Sequence, residues 1–196
     1  MYKQEIGLIE LLRKKNKINI KMGKTEFIQK EIWMLTYNAS FQRAKIYKEN
    51  ARENEKKNLR TKLWLEIENE ILSDYNNEVS DDKHLENINR IKRSSEDFSE
   101  ILNNGSFSFG VAQKMLNLYL KYQWCLGRIK STPPHFPVDR QIQEALKISN
   151  ITSWTTEMNE NDYMNVIKIA RNQLKEYNKK NIAELELYLF ERRNNS

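Results

Sequence analysis

VAQKMLNLYLKYQWCLG, residues 111–127, reads as one helix, with apolar residues recurring at helical spacing and Gly127 closing it. The segments on either side read the same way. In TEFIQKEIWMLTY (25–37), Ile28, Ile32 and Leu35 recur at helical spacing while Phe27, Trp33 and Met34 fill the flanks, which predicts a helix buried on most sides. NLRTKLWLEIENEIL (58–72) carries Leu59, Leu63, Ile67 and Ile71 at i, i+4 intervals. In SDDKHLENINRIKRSSEDFSEIL (80–102), Ser80 is the expected N-cap, Leu85, Ile88 and Ile91 face inward, and Asn104-Gly105 supplies the stop. RQIQEALKI (140–148) and NDYMNVIKIARNQLKEY (161–177) follow, and Asn181 with Glu184 opens a last helix in the manner of a capping box. No alternating strand pair, internal repeat or low-complexity tract interrupts this pattern, so the predicted fold class is all-α.

Composition agrees. Of 196 residues 39% are apolar and 31% charged, with only five glycines, which favours helices over turn-rich β architecture. No apolar run reaches the roughly 20 residues that span a bilayer. The N-terminus lacks the order of charge, apolar block and small residues of a signal peptide, so a cytoplasmic location with no membrane contact is expected. Cys125 is the only cysteine, which argues against disulfides, cysteine-ligated zinc and an iron–sulfur cluster. No metal or other cofactor is expected. The net charge of +6 is uneven: residues 1–62 hold 16 Lys/Arg against 7 Asp/Glu, a balance of +9, and the remainder sums to −3. Such asymmetry suits an anionic partner, nucleic acid foremost, and equally suits a solvated helix face of mixed sign.

The three prolines all fall in PPHFPVDRQI (133–142), ahead of Asp139. Pro137 fixes φ and removes a donor just before a helix, and Pro133 and Pro134 stiffen the approach. Asp139 is thereby placed as an N-cap, a carboxylate on a rigid mount, or both.

GVAQKMLN (110–117) resembles the Gly-Val-Gly-x-Lys-x-x-Asn hairpin of the helix-hairpin-helix DNA glycosylases, and FPVD (136–139) resembles their Pro/Ala-Val-Asp. LTYNASFQRAKIY (35–47) is similar to the helix end where that family places an Asn or Gln wedge and, five residues on, a basic or polar contact residue. The resemblance implies two helical lobes with double-stranded DNA crossing the cleft between them. Residues 23–138 would form the hairpin-bearing lobe, and 1–22 with 139–196 the other. It implies a monomeric glycosylase with abasic-site lyase activity, a base-excision repair enzyme whose default substrate is an oxidised purine. A hypermodified base of foreign DNA is the other option. A non-catalytic helical DNA-binding protein is the competing reading, and a helical protein whose basic N-terminus meets an acidic partner is a third.

By the same resemblance each residue has a task. A base inside a duplex has to be everted; Asn38 would fill the gap and Arg43 would support the opposite strand. Without the resemblance these are a helix C-cap and an exposed charge. Lys114 would attack the sugar carbon as the base departs, giving a Schiff base. That requires a neutral amine, favoured by desolvation or by neighbouring positive charge, some of it expected from Lys121 two turns along. Otherwise Lys114 is a lysine at the first turn of an amphipathic helix. Asp139 would stabilise charge developing on the sugar and help activate the amine.

The hairpin residues Gly110, Val111, Ala112 and Gln113 would grip phosphate through backbone N–H groups, Gly110 permitting the close approach. Ala112 departs from the family's second glycine, and Ser108-Phe109 replaces Leu-Pro. Arg140 and Gln141 follow Asp139 toward the DNA, Gln141 standing where many relatives carry His. The long loop KYQWCLGRIKSTPPH (121–135) would wall the base pocket, with Trp124 for stacking or for the core and His135 for a polar contact. His135 is read as a loop residue rather than a metal ligand, with no second histidine nearby in sequence. Trp154, Tyr163, Tyr188 and Phe190 suit pocket and core equally.

Overall fold

A computed structural model describes residues 23–190. The parts of the proposed second lobe formed by residues 1–22 and 191–196 lie outside the described residues. Within them the chain forms seven α-helices: α1 Lys24–Phe41, α2 Glu53–Glu66, α3 Asp81–Glu96, α4 Phe109–Cys125, α5 Arg140–Ala145, α6 Glu160–Gln173 and α7 Ile182–Leu189. Between α2 and α3 the chain passes through a π-helical turn, Ile67–Ile71, and a 3₁₀ turn, Leu72–Asn76. No strand occurs among the described residues; Tyr47 and Leu102 form an isolated antiparallel bridge. The described residues are all-α, as the periodicity predicts.

α4 is the central element, in contact with α1 and α3. Every residue from Phe109 to Lys121 on it is buried, so its polar side chains must find partners inside the protein. Ser108 caps it by accepting from the Val111 N–H, and Gly127, at φ +69°, turns the chain away at the far end. Leu59, Leu63, Ile67 and Ile71 are all fully enclosed. The π turn shifts the register of the last two without taking either off the core face. Trp33 of α1 stacks on Trp64 of α2 at 6.5 Å between ring centroids, and the Trp64 indole donates to Tyr119 Oη at 2.9 Å. One contiguous apolar cluster runs from Ile32 to Leu185. Burying each such Leu or Ile contributes about 1.5–3 kcal/mol.

Two expectations from the sequence are corrected. α1 is not buried on most sides: Phe27, Ile28, Met34 and Leu35 are exposed. The inward face carries Gln29, Ile32, Trp33, Thr36 and Ser40. Its hydroxyls are satisfied locally, Thr36 donating to Ile32 O and Ser40 to Thr36 O. Gln29 accepts from Gln123 and from Arg128. With apolar residues nearly all round the helix, spacing left its phase undetermined, and the tryptophan contacts and these polar pairings set it. The second correction concerns α3, which ends at Glu96 and not at Asn104. There Ser95 Oγ donates to Lys92 O and accepts from the Phe107 N–H, so the chain folds back about two turns early. Residues 101–103 instead pair with 46–48.

Candidate active site

Asp139 is the N-cap of α5: its Oδ1 accepts from the Ile142 N–H at 3.2 Å. The other carboxylate oxygen, Oδ2, stands 3.1 Å from Lys114 Nζ. Helix cap and ion pair are therefore divided between the two oxygens of one carboxylate. The Lys114 and Asp139 side chains keep 10% and 19% of their surface open to solvent, so the pair is screened but reachable. The Trp154 ring supplies a third side, with Lys114 Nζ 4.1 Å from its centroid, a cation–π contact.

What carries Trp154 there is a glycine. A Cβ at Gly110 would lie 1.7 Å from the Trp154 carbonyl oxygen, so the loop before α6 passes directly over the first turn of α4. Gly110 and Lys114, four residues apart, share one helix face, and both meet Trp154. The close approach at Gly110 is to the chain's own backbone. Val111, Ala112 and Gln113 are enclosed as well, and the Gln113 amide bonds Val138 inside the protein. The Val111 and Ala112 N–H groups are taken by the Ser108 side chain and carbonyl. The expectation that Val111, Ala112 and Gln113 offer groups to phosphate is corrected accordingly.

Further along the same face of α4, Lys121 bonds Glu186 of α7 at 2.7 Å, and its Nζ lies 4.0 Å from the Phe190 ring centroid. Its charge is thus paired, which corrects its assignment as a positive neighbour tuning Lys114. Burial pushes the Glu186 carboxyl up, with Lys121 opposing and Asp139 adding to the rise. Glu186 escaped notice in the sequence because ELELYLF reads as an ordinary amphipathic helix.

Asn38 is exposed near the end of α1, with its carbonyl accepting from the Gln42 N–H. Arg43 is exposed at φ +65°, in the left-handed region. It lines a groove of about 490 Å³ with Lys45, Asn103, Ser108, Val111 and Thr155, so the structure brings Arg43 beside the N-terminal end of α4. Arg140 and Gln141 are exposed on α5, Arg140 paired with Glu144. Trp124 is half-buried against the core.

His135 does not wall a base pocket. It is enclosed, donates from Nε2 to Asp81 at 3.0 Å and accepts at Nδ1 from Tyr163 Oη at 2.9 Å. A second histidine does lie near it: His84 of α3, ring centroids 4.5 Å apart. Asn117 links the two, accepting from His84 Nε2 at 3.0 Å and donating to Tyr163 Oη at 2.9 Å. His84 Nδ1 accepts from Tyr75 Oη at 2.7 Å. Both rings are neutral in this arrangement, and burial pushes each imidazole down, His135 to about 4. On the outer side Arg171 grips Asp81 with two bonds of 2.7 Å and holds its carboxyl well below the usual range. No group of three or more His, Cys, Asp or Glu arranged to hold a metal ion occurs among the described residues, and no helix there is long and apolar enough to cross a membrane.

No family model, no curated protein and no solved structure matches this chain.

Proposed function

We propose that the protein is a DNA glycosylase with abasic-site lyase activity, acting on an oxidised purine or another modified base in double-stranded DNA. The observation that carries this reading is the 3.1 Å approach of Lys114 Nζ to Asp139 Oδ2 in a solvent-reachable setting. An amine nucleophile needs a nearby base to take its proton, and a carboxylate so placed also faces positive charge forming on the sugar. In the reaction the proton passes from Nζ to Oδ2. The nitrogen then attacks the sugar carbon, whose bond to the base breaks with the electron pair leaving on the base. The nitrogen then gives up a second proton and forms the C=N bond as the bond from that carbon to the ring oxygen breaks, its electron pair leaving on the oxygen, which takes up the proton; the resulting imine permits strand cleavage by elimination. The Trp154 ring shields one side of the amine from water. Two helical lobes, with DNA in the cleft between them, are the architecture this chemistry suits. Arg43 and Lys45, beside the N-terminal end of α4, favour a second reading in which the chain binds DNA without chemistry.

Borohydride trapping on duplexes carrying single lesions or an abasic site separates them. The enzyme reading expects a covalent adduct that Lys114→Ala abolishes, with DNA binding retained, and slower base release in Asp139→Asn. Salt-sensitive binding with no adduct on any duplex leaves the binding reading.

A further inference from the structure

We propose that Gln113 and Gln143 are positioning residues, two enclosed amides that hold the two partners of the Lys114 amine, Asp139 and Trp154, where they stand. This rests on the reading of Lys114 and Asp139 given above.

Both glutamines are fully buried, and both are spent on loop backbone. The Gln113 Nε2 donates to Val138 O at 2.6 Å, and its Oε1 accepts from the Val138 N–H at 3.1 Å. The residue before Asp139 is thus held on both its polar groups by the residue before Lys114. Gln143 repeats the device one turn into α5. Its Nε2 donates to Thr152 O at 3.0 Å and to Asp139 O at 3.3 Å, and its Oε1 accepts from the Thr152 N–H at 2.9 Å. Thr152 lies two residues before Trp154. One clip fixes the entry to Asp139, and the other ties the exit from Asp139 to the loop carrying the ring over Lys114.

Amide orientation is dictated by the surroundings. Asn117 Nδ2 donates to Gln113 Oε1 at 3.3 Å, and Asn117 is itself oriented by His84 and Tyr163. A flipped Gln113 would set donor against donor at both Val138 and Asn117. An apolar core would fill the same space without these bonds. Amides at both places bring geometric precision at the point where the proton has to move, and a small misplacement there is costly in rate.

The test compares parent, Gln113→Met, Gln143→Met and Gln113→Glu in single-turnover borohydride trapping on an abasic-site duplex, with thermal unfolding to identify folded variants. For the folded Met variants the maximal trapping rate is expected to fall at least about 10-fold, while the DNA concentration for half-saturation moves less than about 2-fold. Gln113→Glu discriminates positioning from mere packing. Its carboxyl matches the amide's two-way bonding only when protonated, against Lys114, Asp139 and the neutral His84 reached through Asn117. Its rate relative to parent at the same pH therefore rises on acidification, while that of Gln113→Met stays flat. Rates within about 2-fold of parent in the folded variants would overturn the proposal. If the parent traps no duplex, the nucleophile reading fails. The positioning claim is then decided by a crystal structure of Gln113→Met, or of Gln143→Met if the first does not fold. Movement of Lys114 Nζ out of reach of Asp139 Oδ2 or of the Trp154 ring supports it, and an amine still seated against both overturns it.

Discussion

Gly110 and Trp154 meet backbone to backbone: the space a Cβ would need on the one is occupied by the carbonyl of the other, at 1.7 Å. Through that contact the first turn of α4 places an aromatic ring over Lys114, and its consequence is measurable. Gly110→Ala has to push the Trp154 loop away. Overpacking of this kind costs about 1–3 kcal/mol or more. We expect a lower midpoint in denaturant and a changed Trp154 environment by fluorescence; an unchanged midpoint would contradict the close approach.

Asp139 has separable duties. Asp139→Asn keeps an acceptor for the Ile142 N–H, so α5 remains capped while the ion pair with Lys114 is lost. Asp139→Ala loses both. The alanine variant should therefore be less stable than the asparagine variant by about 1 kcal/mol, the usual worth of a cap, as equilibrium urea unfolding would show. Equal stabilities would mean the cap contributes nothing.

Lys121 and Glu186 form an enclosed pair, and breaking such a pair from one side leaves a buried charge behind. Lys121→Ala should cost about 3–5 kcal/mol, whereas the joint replacement Lys121→Met with Glu186→Leu should sit near the parent or above it. A double-mutant cycle in thermal or urea unfolding measures the difference. Strict additivity of the two single changes would deny the coupling.

The paired histidines make stability depend on pH. Burial holds His135 down to about 4 in the folded chain, against about 6.5 when unfolded. Between those values the unfolded state binds more protons, so stability rises with pH and is lost as the solution is acidified through pH 6.5 toward 4. For His135 alone the loss approaches about 3 kcal/mol, and His84, also pushed down, adds in the same direction. Asp81, held low chiefly by Arg171, has the same sign, but its contribution disappears only below the ordinary carboxylate range. The check is the urea midpoint between pH 7 and 4.5, which should fall in the parent and fall less in His135→Asn. A flat profile in the parent would mean that the rings are not held neutral.

The phase of α1 is testable through two residues on opposite faces. Trp33→Ala removes a buried ring and should cost about 3–5 kcal/mol. Leu35→Gln, on the exposed side, should stay within about 0.5 kcal/mol of the parent. Comparable losses would show that both faces are covered.

Read alone, the sequence determined the all-α class, the placement of the helices and most of their ends. Those features arise within a few residues: Ser80, Asp139 and Asn181 cap helices as their side chains dictate, and Gly127 closes α4 because glycine tolerates positive φ. Resemblance to a family motif singled out Lys114 and Asp139, which local spacing could not join. Only the tertiary structure decided which face of α1 turns inward, that His84 lies against His135 across 51 positions, that Glu186 neutralises Lys121, and that Gln113 and Gln143 are turned to loop backbone. Each is a contact between segments distant along the chain. Whether such a polar group finds its partner depends on how whole helices pack, and desolvation inside the core makes the pairing obligatory once they have packed.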